Sequence, residues 1–319
     1  KVTWSFSSLT RRRLLIASCL LVGLVGAARG LATDFTTLAA AMFAFGLATP
    51  FINMNTLKTC GMWFSPRQLG LASGVLSMGM ALGFLTGSLL SASVLSPWLG
   101  GWRQVLFLYG GLAAVLCLPW MLTRPPPDSA SGLIVGVAPN SLRQSVAHVA
   151  RLRNVWLFGL ALLGIGGCIQ GALGYLPLYL RGLGWADTRA DGALAAFHTI
   201  SMVFAIPIAF GSDRLGSRKK VLTAAGLMIV LGIGLLSAMR GAAVWFAVGL
   251  AGMARDGFMA VFMTAIMETR GVGAAYAGSA VGIVMVVAGL GNLLAPPLGN
   301  SLTAFGPGLP FIFWAALAV

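Results

Sequence analysis

The chain has 319 residues, of which 58% are hydrophobic and only 9% charged, against roughly a quarter charged in an ordinary soluble domain. So few charges cannot clothe the surface of a water-soluble fold of this size, which points to a bilayer as the solvent. The formal charge of +14 would suit a nucleic-acid binder, but Lys and Arg sit in short gaps between apolar runs instead of forming a stripe beside exposed aromatics, so nucleic acid is set aside as a partner.

The first residues, KVTWSFSSLTRRR, are polar and no small-residue cleavage site follows them, so no targeting segment is expected. A spanning helix needs about 20 predominantly apolar residues. Such runs predict helices at 14 to 33, 35 to 60, 68 to 95, 103 to 123, 154 to 180, 191 to 211, 220 to 239, 242 to 267 and 273 to 300. A tenth run begins near Pro307 and is cut off at Val319. The fold class is therefore all-α and polytopic. Cys19, Cys60, Cys117 and Cys168 lie in apolar runs with no CxxC spacing, and read as small fillers; no metal or cofactor is implied.

In the second helix Asn53, Asn55 and Lys58 are polar, and Asn55 and Lys58 share a face; Lys58, near the helix end, can also snorkel to the interface. In the third, Gly79, Gly83 and Gly87 stack at i, i+4, i+8, as close helix packing requires. The only long loop opens with Pro125, Pro126 and Pro127 and ends in SLRQSVAHVARLRN. There Leu142, Val146 and Val149 recur at helical spacing beside Arg143, Arg151 and Arg153, as in a helix lying on an anionic inner leaflet. This loop, 124 to 153, divides an N-terminal helical bundle, 1 to 123, from a C-terminal one, 154 to 319.

Alternating sides from a cytosolic Arg11 to Arg13 places 15 Lys and Arg on that side and five on the other, Arg29, Arg103, Arg181, Arg189 and Arg240. Arg255 alone falls inside a helix. The asymmetry follows the positive-inside rule and supports the helix count.

The two halves repeat. RRRLLIASCLLVGLVGAARG after Thr10 matches RKKVLTAAGLMIVLGIG after Ser217 at an offset of about 207, and Gly74, Gly83, Gly87 correspond to Gly282, Gly291, Ala295 at 208. The counterpart of 154 to 210 then lies before Lys1, which predicts two further helices there and six plus six in all. The expected binding cavity lies between the bundles near the bilayer midplane.

AFGSDRLGSRKK, Ala209 to Lys220, at a turn between two helices, resembles the G-x-x-x-D-R-x-G-R-[RK] signature of the major facilitator superfamily. Asp213, Arg214, Gly216 and Arg218 match in kind; Ala209 replaces the first glycine and Ser217 displaces the first basic position. WFSPRQLGLASG (Trp63 to Gly74) and Trp102-Arg103 are similar to the family's first-half pattern. The resemblance implies a secondary transporter of the inner membrane, monomeric, working by alternating access on a small-molecule substrate, with protons as possible partners. Asp213, Arg214, Gly216 and Arg218 would form a gating turn, since an acid beside a helix terminus and neighbouring cations can make contacts present in one conformation only. The competing reading is a tight basic turn. In the family's antiporters a proline follows the third glycine; this chain has Ser88 there, though Pro296 stands in the second copy. That departure counts against a drug efflux transporter, the runner-up.

By the same resemblance, the helices holding Asn53, Asn55, Gln170, Tyr175, His198 and Asn292 border the central cavity, so these residues are candidate substrate contacts. Each can equally be an interhelical hydrogen-bond partner. Arg255 and Asp256 occupy the middle of the helix 242 to 267. Their side chains leave the helix about 100° apart, so no ideal ion pair along its face is expected and at least one should meet another helix, a substrate or a proton. Arg255 suits a carboxylate or phosphate and Asp256 suits proton coupling, which favours a small organic anion as substrate. A membrane enzyme lacks convergent groups among 7 acids and 2 histidines, and no channel filter is evident; a transporter-like sensor or lipid flippase remains a further alternative.

Overall fold

The computed structural model describes residues 5–63, 66–122 and 142–319, and among them every regular element is helical. The long helices are α1 (Ser5–Ala28), α2 (Phe35–Trp63), α3 (Pro66–Leu90), α8 (Arg153–Gly182), α9 (Asp187–Leu215), α10 (Arg218–Leu235), α11 (Ala243–Met267) and α12 (Gly273–Ser301). Shorter ones are α4 (Ser96–Leu99), α5 (Trp102–Val115), α6 (Cys117–Leu122), α7 (Leu142–Ala150) and α13 (Leu309–Leu317). The described residues fall into two compact units, one within 1–80 and 90–135, the other within 81–89 and 136–319.

Eight stretches among the described residues are long and apolar enough to cross a membrane. The chain is thus an integral, multi-pass protein. The expected helix at 220 to 239 is not one of the eight, because α10 is 18 residues long and opens with Arg218, Lys219 and Lys220. The run at 68 to 95 is helical throughout and extends a little further: α3 ends at Leu90, a π-helical turn covers Ser91–Leu95, α4 follows, and the chain reverses at Gly100 and Gly101, whose φ of 86° and 140° suit glycine.

In the first unit α1 packs against α2 and α5. Gly110 lets α5 approach closely, since a Cβ there would meet Gly23 O at 2.7 Å. The second unit is built from two close pairs, α8 with α12 and α9 with α11. Lipid supplies no hydrophobic drive between helices, so small residues that permit van der Waals contact do this work. A Cβ on Gly291 of α12 would lie 2.2 Å from Leu163 O of α8, and one on Gly252 of α11 would lie 2.9 Å from Phe197 O of α9. α13 closes the unit with fully buried Phe311 and Trp314, the Trp314 ring filling the space beside Gly171 and Gly299. Pro296 and Pro297 stand inside α12.

Two packing expectations can be set beside the structure. Among the described residues nothing lies within 4 Å of where a Cβ would sit on Gly79, Gly83 or Gly87, whereas Gly291 of the second copy stands in a close helix seam. In α7 the apolar residue Val149 is buried with Ser145, while Val146 is 41% exposed. The Val149 face therefore meets α12 of this protein, where His148 Nε2 hydrogen bonds Gly271 O at 2.9 Å and its ring stacks on Tyr276 at 4.4 Å, and Val146 is left on the outer side. Buried Cys19, Cys117 and Cys168 carry free thiols in packed positions, and the side chain of Cys60 lies outside the described residues.

Candidate functional site

Arg255 is the central residue of α11, twelve positions from Ala243 and twelve from Met267, or about 18 Å from either end at ~1.5 Å per residue. Its Nη1 donates to Asp256 Oδ1 at 2.6 Å, with 26% and 27% of the two side chains exposed. This corrects the expectation drawn from the 100° divergence: the long Arg side chain folds back across the helix surface and closes the gap that the Cβ vectors leave. A charge at mid-membrane depth without a counter-charge is costly. A neighbouring pair solves that locally.

Asp256 is also fixed through its backbone, whose N–H donates to Ser201 Oγ at 3.0 Å; Ser201 is fully buried on α9. One turn earlier on α9 lies His198, 7% exposed. Phe84, from the α3 segment belonging to this unit, stacks on His198 at 5.3 Å, and Phe197 meets it edge-on at 5.6 Å. The structure therefore brings together Arg255, Asp256 and His198. It adds Ser201, Phe84 and Phe197, which sequence reasoning passed over. Ser201 was findable, since it lies three residues after His198 and shares its helix face.

The other candidates separate. Tyr175 is buried, its hydroxyl donates to Pro307 O at 3.2 Å, and its ring joins Tyr179, Phe311 and Trp314. This is a core position. Gln170 and Asn292 are both exposed, and Asn292 Oδ1 lies 3.1 Å from where a Cβ of Gly166 would be, one turn from Gln170 on α8. Asn55 Nδ2 donates to Ser18 Oγ at 2.8 Å, tying α2 to α1. The side chains of Asn53 and Lys58 lie outside the described residues, as does that of Asp213.

At the signature turn, Gly216 caps α9 with φ 61°, in the left-handed region where a Cβ is strained, and an extended Ser217 leads straight into α10. Arg214 is exposed. Arg218 forms a fork on Glu268 at the end of α11, Nε to Oε2 at 3.3 Å and Nη2 to Oε1 at 3.1 Å, while its Nη1 donates to Ser212 Oγ at 3.0 Å. Three helices thus meet on one guanidinium. Glu268 escaped the sequence reading, although an acid ending a helix on the side of the basic turn is a visible signal.

At the other end of α8, Arg181 reaches Asp191 Oδ1 at 2.5 Å and Asp187 Oδ1 at 2.8 Å, and Asp191 is only 3% exposed. The remaining cations expected on that side are engaged too. Arg29 lies over the Phe45 ring at 3.9 Å, Arg103 donates to Ala32 O at 2.9 Å, Arg189 lies over Trp185 at 5.2 Å, and Arg240 donates to Tyr179 Oη at 2.5 Å.

Apolar spanning helices packed through small residues, with a charge pair held at mid-membrane depth, define a helical membrane protein of the transporter kind. The chain belongs to the major facilitator superfamily, whose model, described as Major Facilitator Superfamily, matches residues 5–277. It is 24% identical to the 3-(3-hydroxy-phenyl)propionate transporter of Escherichia coli strain K12 over 97% of this chain and 77% of that protein. Among solved structures it is similar to a bacterial homolog of the human lysosomal transporter Spinster, inward-facing and unoccupied, with TM-score 0.70 and 15% identity over 97% of this chain and 78% of that one. It is also similar to the E. coli fucose:proton symporter FucP, with TM-score 0.53 and 17% identity over 97% and 83%. These likenesses place the fold.

Proposed function

We propose that this chain moves a small organic anion, an aromatic carboxylate foremost, across the membrane together with a proton. The observation that carries this reading is the Arg255–Asp256 pair, 2.6 Å apart at the centre of α11 and about a quarter exposed. A guanidinium offers a planar fork matched to a carboxylate. Substrate docking there replaces Asp256 as the partner of Arg255, and a carboxylate buried without a counter-charge takes up a proton.

Charge balance favours this sequence. The empty site holds one cation and one anion; the loaded site holds Arg255, the substrate anion and a protonated Asp256. Both are neutral, so neither carries an unpaired charge through the low-dielectric interior. Phe84, 48% exposed and backed by the buried His198, supplies a ring face for an aryl group, and the transporter from E. coli K12 named above carries a substrate of this chemistry in its name. The exposed Gln170 and Asn292 are assigned to polar substituents of the substrate, and the Asp213 to Arg218 turn to control of the conformational balance.

Counterflow of 3-(3-hydroxy-phenyl)propionate in proteoliposomes tests the proposal. Arg255→Lys is expected to weaken uptake by about tenfold through loss of the fork, on the order of 1.4 kcal/mol. Asp256→Asn should keep exchange and lose pH-driven accumulation. Normal transport per folded molecule in both variants would show the pair to be structural.

A further inference from the structure

The junction of α7 and α8 presents three exposed arginines on a rigid corner, and the transport reading makes no use of them. α7 is held from one side only: Val149 and Ser145 are buried, and His148 binds Gly271 O and stacks on Tyr276. Its C-terminal carbonyl, Ala150 O, accepts a hydrogen bond from Trp156 Nε1 at 2.8 Å, across the turn into α8. Leu152, between the helices, packs 3.2 Å from where a Cβ on Gly271 would be, a position with φ 85° that glycine alone fills without strain. The corner is thus fixed at Ala150, Leu152 and His148. Arg151 and Arg153 flank Leu152, and Arg143 projects from the α7 face opposite Ser145; all three are exposed.

Apolar groups adjoin these cations. Val146 is 41% exposed on α7, Trp156 is 46% exposed, and Leu157 and Leu160 on the first turns of the α8 span are 50% and 58% exposed. A Trp bonded by its indole N–H at the start of a spanning helix marks the level of the lipid headgroups. Cations just outside that level and apolar side chains just inside it complement a phosphodiester headgroup above its acyl chains. The five arginines of the opposite side, by contrast, are each engaged by a protein partner.

We infer that the α7–α8 corner is a binding site for an anionic phospholipid of the leaflet on the positive side, with Arg143, Arg151 and Arg153 at the headgroup and Val146 and Trp156 against the chains. A bound lipid stiffens the corner and, through His148 and Leu152, the Gly271 turn that starts α12.

The full chain, purified and delipidated, is offered equal amounts of phosphatidylglycerol and phosphatidylcholine, and retained lipids are counted by native mass spectrometry. Wild type should retain the anionic lipid in excess. Each surface cation near an anionic leaflet contributes about a factor of five, so replacing all three arginines by Gln should reduce the excess at least tenfold, while the triple Lys variant keeps it. Should the Gln triple fail to fold, Arg143→Gln alone, at an exposed position, should lower the excess about fivefold. Equal retention of both lipids by wild type, an unchanged excess in the Gln variants, or displacement of the lipid by millimolar inorganic phosphate overturns the assignment. So does capture of an acidic polypeptide that expels the lipid.

Discussion

Gly291→Ala isolates the physical basis of the α8–α12 seam. A Cβ at this position falls 2.2 Å from Leu163 O and 2.9 Å from Leu163 C and Cα, all backbone atoms that no rotamer change can move. Restoring normal contact requires the helices to separate by roughly 1 Å along their most closely packed stretch, at the upper end of overpacking costs, about 3 kcal/mol. Alanine returns about 1 kcal/mol through its better helix propensity. The net loss is about 2 kcal/mol, which for a chain of this size lowers Tm by about 3 °C. Gly289→Ala, two residues away on the same helix, is the control, because nothing lies within 4 Å of its Cβ position. It should raise Tm slightly or leave it unchanged. Scanning fluorimetry of both variants in one detergent measures the contrast. A Gly291→Ala protein that melts at or above wild type would refute the account of the seam.

Other outcomes follow from an ion pair of the second unit and a helix cap of the first. Arg218→Gln and Glu268→Gln should each slow substrate counterflow several-fold with a stability loss under about 1 kcal/mol, since the pair is partly exposed; the Arg218→Glu, Glu268→Arg exchange should recover much of the rate. A charge exchange no faster than either single variant would remove the fork from the transport cycle. At the start of α2, Asp34 Oδ1 accepts the Thr37 N–H and hydroxyl, each at 2.7 Å, and the backbone bond foremost holds this carboxyl below its ordinary range. A depressed value means that the cap stabilises the fold above the unfolded-state pKa and is lost as pH falls through the folded one. The Tm advantage of wild type over Asp34→Ala should therefore be full above about pH 5 and shrink below about pH 4. An advantage that stays constant down to pH 3 would contradict the cap.

The spanning helices were legible because a bilayer demands long apolar runs, and their number of residues is fixed by its thickness. Where an apolar run changes its helical winding, as in the π-helical turn Ser91–Leu95, composition carries no mark of the change. Arg255, Asp256 and His198 were legible as costly groups at depth, whereas their mutual geometry was not: whether an Arg side chain folds back on its neighbour depends on rotamer and packing, beyond what a helical wheel records. The glycines make the same point in another way. Gly79, Gly83 and Gly291 are indistinguishable as sequence, and what singles out Gly291 as a packing residue among the described residues is Leu163 O opposite it. Glu268 and Asp191 pair with cations 50 and 10 residues away. Such partners require the fold before they can be matched.

The two prolines inside α12 have a mechanical consequence. Pro296 and Pro297 have no N–H to offer the carbonyls of Asn292 and Leu293, so two successive rungs of the helical ladder are absent and the rod is compliant there. Trp314 spans this soft stretch: its indole N–H donates to Ala295 O at 2.7 Å, and its ring fills the space beside Gly299 one turn further on and beside Gly171 of α8. It acts as a splint. The bending stiffness of α12 at this joint is thus set less by its own hydrogen bonds than by a side chain borrowed from α13, and shear between those two helices becomes flexure of the segment that carries Asn292.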